Sequence, residues 1–379
     1  MAIISDLSRD LVEEVLARVP LTSLRAVRFT CKNWNDLSKD GSFIKKKIVE
    51  AKKKQAKEFE VIMMMNYRVY LMSVNLSNVD PSIKPKAKLI TLNDISNDYQ
   101  VDISTVFHCD GLLLCVTKDI NSRLVVWNPY FGQTRWIKPR NSYHHMDKYA
   151  LGYEKKMNSS NVSHKVLRFV DNYYAYSPES QIYGFELYSL TSNSWKVLDI
   201  TSSDWGREIK FIRQGLSLKG NTWYVIDDLL MCFDFTMERF GPRLRLPFPP
   251  SRLQWDDTIT LSSVGEEQLA VLYQCAYTLR TEIWVTSKIE PNEVSWNTLF
   301  LLLDMRHPTG FQFQTGNFFI DLKQNVAVVF DKDKDVSNTR SIAYIIGKKG
   351  YFKKVDLGES THPDCYPLVC SYVPSSVQI

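Results

Sequence analysis

The sequence predicts two unlike parts, a small three-helix module followed by a large all-β domain of propeller type. In the first forty or so positions apolar residues recur at helical spacing. From about Glu60 onward they fall in short alternating runs separated by turn residues. Within that second part a strand, turn, aromatic unit returns at Trp136, Trp195, Phe240, Trp296 and Phe352, a period of roughly 45–60 residues that suits propeller blades.

The helical module comes first. Leu11, Val12, Val15, Leu16 and Val19 share one face of a short helix. Pro20 lacks the amide that would continue it, so the helix stops there. Thr22 is placed to cap a second helical turn, after which Leu24, Val27, Cys31 and Trp34 follow at three- and four-residue steps. Three short helices in about 40 residues lie near the size below which a domain rarely stands alone. Each Leu or Val left in water forfeits roughly 1.5–3 kcal/mol of burial, so part of the stripe is expected to cover another protein.

This run resembles the F-box, the module that joins substrate receptors to cullin-RING ubiquitin ligases through a Skp-type adaptor. The resemblance rests on Leu7-Ser8, Glu13 to Leu16, Arg18-Val19-Pro20, Ser23-Leu24, Cys31-Lys32-Asn33-Trp34 and Asp40-Gly41-Ser42-Phe43. Ser8 stands where the family has Pro, and Gly41 where it has another. Ser8 can cap the helix through its oxygen but gives up the ring that packs on the adaptor. The resemblance implies docking on the adaptor and, through it, on a cullin and a RING protein. Leu7, Leu11, Val15, Leu16, Val19, Pro20, Leu24, Val27, Cys31 and Trp34 either build the module's core or meet the adaptor, and the sequence leaves that division open. The F-box is assigned to residues 1–44.

Residues 45–59 read as a basic linker helix, with Ile44, Ile48, Ala51, Gln55 and Phe59 following one stripe and lysines around it. Its two triple-lysine clusters also fit a nuclear-import signal. The net charge of +5 over 379 residues is modest and does not imply a nucleic-acid surface. With 44% hydrophobic residues a sizeable core is expected. Seven cysteines without a Cys-x-x-Cys pair read as reduced, mostly buried thiols. The start carries no charged-then-apolar leader, and no apolar run approaches the roughly 20 residues that span a bilayer. The expected compartment is nucleus, cytoplasm or both, with no membrane partner.

Residues 60–379 form the β domain. Glu60 to Met65 and Tyr67 to Val74 read as its first strands. Val106 to Val116 reads as a hairpin about Asp110-Gly111, which supplies the positive-φ turn, and Asn128-Pro129 starts a second turn before Trp136 closes the unit. Later copies pair Phe185 to Leu190 with Ser194 to Leu198, Gly220 to Val225 with Cys232 to Phe235, Glu282 to Thr286 with Val294 to Trp296, and Ala343 to Ile346 with Tyr351-Phe352. About six blades fit, each a small antiparallel sheet whose apolar faces are buried only when neighbours stack around a ring. Phe107 to Leu114, Val126-Trp127-Asn128-Pro129, Arg135-Trp136 and the ending Ser371 to Ile379 resemble the F-box-associated domain of plant F-box proteins. That resemblance implies a kelch-like propeller that captures a target protein; pairing of the last strand with the first is one way to close the ring, which the sequence leaves open.

Catalytic chemistry is not indicated. No histidine has another His or Cys at a metal-site spacing, and His144-His145 fits a surface loop. His108-Cys109-Asp110 has the types of a nucleophile constellation, yet neighbours along a strand cannot converge as a triad requires. Arg135 to Arg140 interleaves basic and aromatic residues, but Trp136 stands at the repeated structural position, so no nucleic-acid partner is expected. Leu246-Pro247-Phe248-Pro249-Pro250 fits a connector between blades or a short polyproline segment. The expectation is a substrate receptor without cofactor or metal. Its alternative is a propeller scaffold with a weakened F-box, and a kelch-type oxidase is a distant third.

Overall fold

The computed structural model describes residues 7–19, 27, 31–40, 42–43, 59–76, 81–88, 101–119, 122–143, 147–155, 162–171, 182–200, 215–307, 309–333, 340–373 and 377–379. Helices α1 (Arg9–Arg18) and α2 (Lys32–Lys39) belong to the N-terminal module. Residue 27 is also helical, and the rest of the expected middle helix, with Pro20, Thr22 and Leu24, lies outside the described residues.

Six antiparallel sheets follow. Blade I is β1 (Phe59–Met65), β2 (Arg68–Asn75) and β3 (Ser82–Lys88), and β25 (Leu368–Ser371) joins it from the end of the chain. Blade II holds β4 (Ile103–Cys109), β5 (Leu112–Thr117), β6 (Leu124–Asn128) and β7 (Gln133–Ile137). Blade III holds β8 (Lys148–Glu154), β9 (Ser163–Asp171), β10 (Ile182–Ser189) and β11 (Ser194–Leu198). In blade IV β12 (Leu216–Leu218), β13 (Asn221–Ile226) and β14 (Leu229–Asp234) are completed by β15 (Arg239–Phe240) and β16 (Leu244–Arg245), both paired to β14. Blade V is β17 (Thr258–Val264), β18 (Gln268–Gln274), β19 (Arg280–Glu290) and β20 (Glu293–Asp304). Blade VI is β21 (Asn317–Asp321), β22 (Val326–Lys332), β23 (Arg340–Gly347) and β24 (Phe352–Glu359).

The strands β25, β4, β8, β12, β17 and β21 touch one another in turn around a ring, so the molecule is a six-bladed propeller. Closure is by backbone pairing: Val61 to Met64 of β1 lie opposite Ser371 to Leu368 of β25. The two ends of the domain thus share one blade, which leaves no open seam in the ring.

Each gap between consecutive blades is filled by its own apolar cluster. Side chains alternate across a strand, so one sheet feeds two gaps. Val106, Leu113, Cys115 and Val125 of blade II pack on Ile62, Met64 and Leu71 of blade I. Their neighbours Phe107, Leu112, Leu114 and Val126 pack on Tyr149, Leu151 and Val166 of blade III. This two-sided burial explains why β5, β6 and β22 are buried along their whole length and read as continuous apolar runs.

The five closing aromatics all lie on outer strands, Trp136 on β7, Trp195 on β11, Phe240 on β15, Trp296 on β20 and Phe352 on β24. Each packs, partly buried, into the gap toward the preceding blade. Two also reach across by hydrogen bond: Trp195 Nε1 donates to the Lys138 carbonyl at 2.7 Å, and Trp296 Nε1 to that of Arg245 at 3.0 Å. Inner strands are stitched by hydroxyls in the same way. Thr258 and Ser262 of β17 donate to the carbonyls of Phe313 and Phe318 at 2.5 and 2.6 Å, and Thr260 between them to that of Thr315.

The hairpin turn takes φ of 50° at Asp110 and 71° at Gly111, as expected for that dipeptide. Asn128 caps the next turn, its Oδ1 accepting from the Tyr130 and Phe131 amides at 2.8 and 3.2 Å. Leu246 to Pro250 is a connector from blade IV to blade V, with Phe248 buried and stacked on Tyr273 at 4.7 Å. All seven cysteines are free thiols.

Two expectations are corrected. Phe59, read as the end of the linker stripe, is the first residue of β1 and pairs with Val74, because an available sheet edge outweighs a one-residue extension of helical spacing. Tyr67, read as a strand residue, sits in the β1–β2 turn with φ of 57°. Tertiary contacts hold it there: its amide donates to Cys365 Sγ at 3.3 Å and its ring meets His362 at 4.8 Å. Apart from Phe59, the expected linker helix lies outside the described residues, as do His144 and His145. No helix among the described residues is long and apolar enough to cross a membrane.

Candidate docking surfaces of the helical module and the propeller

Ser8 begins the first surface. Its side chain accepts from the Leu11 amide at 3.5 Å and so starts α1. Arg9 with Glu13 and Arg18 with Glu14 pair one turn apart along its outer side, at 3.4 and 2.5 Å. At the far end of the module Asp40 turns the chain: its Oδ1 accepts from the Ser42 and Phe43 amides at 2.9 and 3.2 Å and from the Ser42 hydroxyl. These bonds, the hydroxyl first, lower the Asp40 pKa and seat Phe43 in the core.

That core contains Val12, Leu16, Leu37 and Phe43, with Ala17, Val19, Val27 and Trp34 packed against it. Leu16 is fully buried. On the same helix Leu11 is 50% and Val15 44% exposed, and Leu7, just ahead of the Ser8 cap, is 40% exposed. Leu11 and Val15 stand one turn apart on the uncovered side of α1, and Leu7 precedes them in the segment that enters the helix. The expected residues therefore divide. Leu16, Val19, Val27 and Trp34 belong to the core, Leu7, Leu11 and Val15 to the surface, and Cys31 is partly buried at the N-cap of α2. Phe43, the last residue of the Asp40-Gly41-Ser42-Phe43 run, and Leu37, which no motif singled out although it stands one turn beyond Trp34, complete the core.

The second surface is the propeller's axis. Where the inner strands begin there is a cavity of about 470 Å³, lined from β4, β12, β17, β25 and the segment entering β21. Where they turn back the channel widens to about 1700 Å³. His108 of β4 faces both. Its Nε2 accepts from the Gly111 amide at 3.2 Å, and burial pushes its pKa down to about 4. Burial likewise pushes the Cys109 thiol up, which keeps it protonated and poorly nucleophilic. Asp110 turns instead to His164 Nε2 at 3.1 Å. The three neighbours are thus a strand end and its turn, each with a separate partner. Among the described residues no three His, Cys, Asp or Glu side chains gather as a metal site.

A helical module with exposed apolar residues, followed by a closed propeller, defines a two-part architecture. The F-box domain family matches residues 4–46, and the family described as the F-box associated beta propeller domain matches residues 60–379. F-box protein At5g42460 of Arabidopsis thaliana is 62% identical, with 100% of this chain and 99% of that one covered. From the same plant, F-box protein At2g17830 is 60% identical with 100% and 99% covered, and F-box/kelch-repeat protein At3g16740 is 57% identical with 100% of both covered. The chain belongs to the F-box proteins that carry an F-box-associated β-propeller.

Proposed function

We propose that this protein is the substrate-recognition subunit of an SCF-type cullin-RING ubiquitin ligase. Its F-box docks on a Skp-type adaptor, and its propeller holds a target protein. The exposed Leu7, Leu11 and Val15 support this reading most directly, because a module this small leaves three large apolar side chains in water, two on one face of α1 and one in the segment that enters it. Because they are already about half buried, covering them would recover on the order of 1 kcal/mol each. The protein itself supplies no catalytic group in this scheme. Ubiquitin transfer is accelerated because the target's lysines are held near the charged conjugating enzyme, which raises their effective concentration.

The test is calorimetric titration of the full-length chain with a purified Skp-type adaptor. Leu11→Asp with Val15→Asp places two charges on the exposed stripe without touching the core, and should weaken binding by about a hundredfold or more while the melting curve stays unchanged. Undiminished affinity in that double variant would remove the ligase assignment. Ser8 and Gly41 favour a second reading, a propeller scaffold with a weakened link to the ligase. Ser8→Pro separates the two: a gain from no measurable binding to tight binding supports the scaffold, whereas tight binding by the natural chain supports the receptor.

A further inference from the structure

Trp255 is 91% exposed and Tyr277 75%, the two most exposed large apolar side chains among the described residues. Trp255 lies just ahead of β17, and Tyr277 lies between β18 and β19. Since β17 and β18 are antiparallel with Thr258 opposite Gln274, both loops leave the same end of blade V. A buried carboxylate holds them together. Asp257, 1% exposed, accepts at Oδ2 from the Gln254 amide and the Tyr273 hydroxyl at 2.9 and 3.0 Å, and at Oδ1 from the Ala276 amide at 2.9 Å. Aromatic side chains on loops fixed in this way lose little freedom on binding, which suits them as anchors.

Between Trp255 and Asp257 stands Asp256, which lines the 470 Å³ cavity. Its buried Oδ1 has no hydrogen-bond partner, and neither does the buried Thr315 Oγ1 that lines the same cavity from the segment entering β21. Gln312 ties the segment entering β21 to the Trp255 loop, its Nε2 donating to the Asp256 carbonyl at 2.6 Å and to Thr258 Oγ1 at 3.0 Å. No Lys or Arg is among the described residues lining this cavity, and burial keeps His108 neutral there at neutral pH. The wide end of the channel differs, since Lys219 Nζ lies 3.0 Å from Glu267 and 3.9 Å from Glu290.

A buried acceptor without a donor is costly until a donor arrives. The missing group should bring positive charge and several donors, because the cavity offers a carboxylate and a hydroxyl without donors, and a flat face, because two exposed aromatic rings stand on loops at that end of blade V. A guanidinium meets all three requirements, and a lysine ammonium lacks the flat face. We propose that this mouth receives an arginine side chain on an extended segment of the target protein. The guanidinium donates to Asp256 Oδ1 and Thr315 Oγ1, and Trp255 and Tyr277 flank the stem. The proposal rests on the reading of the propeller as the target-capturing part, but its test involves no adaptor, so failure here and failure of adaptor docking are separate results.

The probe is a short peptide with one arginine between alanines, titrated into the full-length chain labelled with 5-fluorotryptophan and followed by fluorine NMR. The Trp255 signal is assigned by its loss in Trp255→Phe, a change at an exposed site. It should shift saturably with the arginine peptide, and the same peptide with citrulline should bind at least about tenfold more weakly. Asp256→Asn and Tyr277→Ala should each weaken the arginine peptide by a similar factor, with the remaining tryptophan signals reporting an intact fold. No saturable shift, equal affinity for the citrulline peptide, or full affinity in Asp256→Asn would each overturn the proposal.

Discussion

Leu11 of α1 and Leu114 of β5 are the same residue type, yet one is half exposed and the other fully buried. The difference lies in what surrounds each element. A propeller blade has a neighbour on both faces, so both sets of alternating side chains find a gap to fill, and all six gaps are filled. The core described for the module has four buried residues, and α1 covers only one of its faces with them. Apolar residues in the ring therefore report stability, and those on the outer side of α1 are the ones the proposed adaptor would cover.

The sharpest way to break that comparison is Leu16→Lys. Placing an ammonium in the module's core costs several kcal/mol, as much as so small a unit can lose. Hydrogen exchange along α1 and α2 should become unprotected while the propeller's melting temperature holds. Preserved protection in the helices would mean that Leu16 is not core. This variant is thus a folding test, and the exposed pair Leu11 and Val15 is the docking test.

Next comes Trp136→Ala, which empties the half-buried ring between blades I and II. It should lower propeller stability by about 3 kcal/mol in urea unfolding, the lower end of the range for buried aromatics. No loss would remove Trp136 from the set of inter-blade struts. Trp195→Phe keeps most of the packing and deletes the bond to the Lys138 carbonyl, so about 1 kcal/mol is expected from the same measurement.

The smallest effect is that of acid. Burial works to raise the pKa of Glu282, but hydrogen bonds from Arg252 and Trp284 and the charge of Arg252 outweigh it and hold the pKa below its ordinary value. Glu238 is lowered likewise: burial opposes, and the bonds and charges of Lys165 and Lys196 prevail. A carboxylate with a lower pKa folded than unfolded contributes stability above the unfolded value and loses it as pH falls through the folded one. Propeller stability should therefore begin to decline below about pH 4.5, and Arg252→Gln should flatten the decline. An identical pH profile in that variant would remove Glu282 from the account.

Much of this was legible because it depends on neighbours in the chain. Asp110-Gly111 states its turn, Asn128 states its cap, and five aromatics at a near-constant interval mark the outer strands of five blades. Blade III shows the limit. In β9 His164, Lys165 and Arg168 are all buried, a composition that hides a core strand from any apolar pattern. The structure satisfies them with partners brought from elsewhere: Arg168 meets Asp147 at 2.6 Å and Glu186 at 3.0 Å, and Lys165 meets Glu154 at 2.9 Å and Glu238 at 2.8 Å. Asp257 is similar, since nothing in Gln254-Trp255-Asp256-Asp257 says that a carboxylate will also collect the Ala276 amide from the next loop of its blade.

By itself the sequence determined that a short amphipathic helix precedes a repeating β domain, where the hairpins turn, and which aromatics mark the blades. Periodicity and turn chemistry act over a few residues, so they are written locally. Only the tertiary structure decided which side of α1 stays uncovered, that β25 completes blade I, and that Asp256 faces the channel with an unmet oxygen. Those outcomes depend on which surfaces meet across long stretches of chain, and burial is a property of the pair that meets.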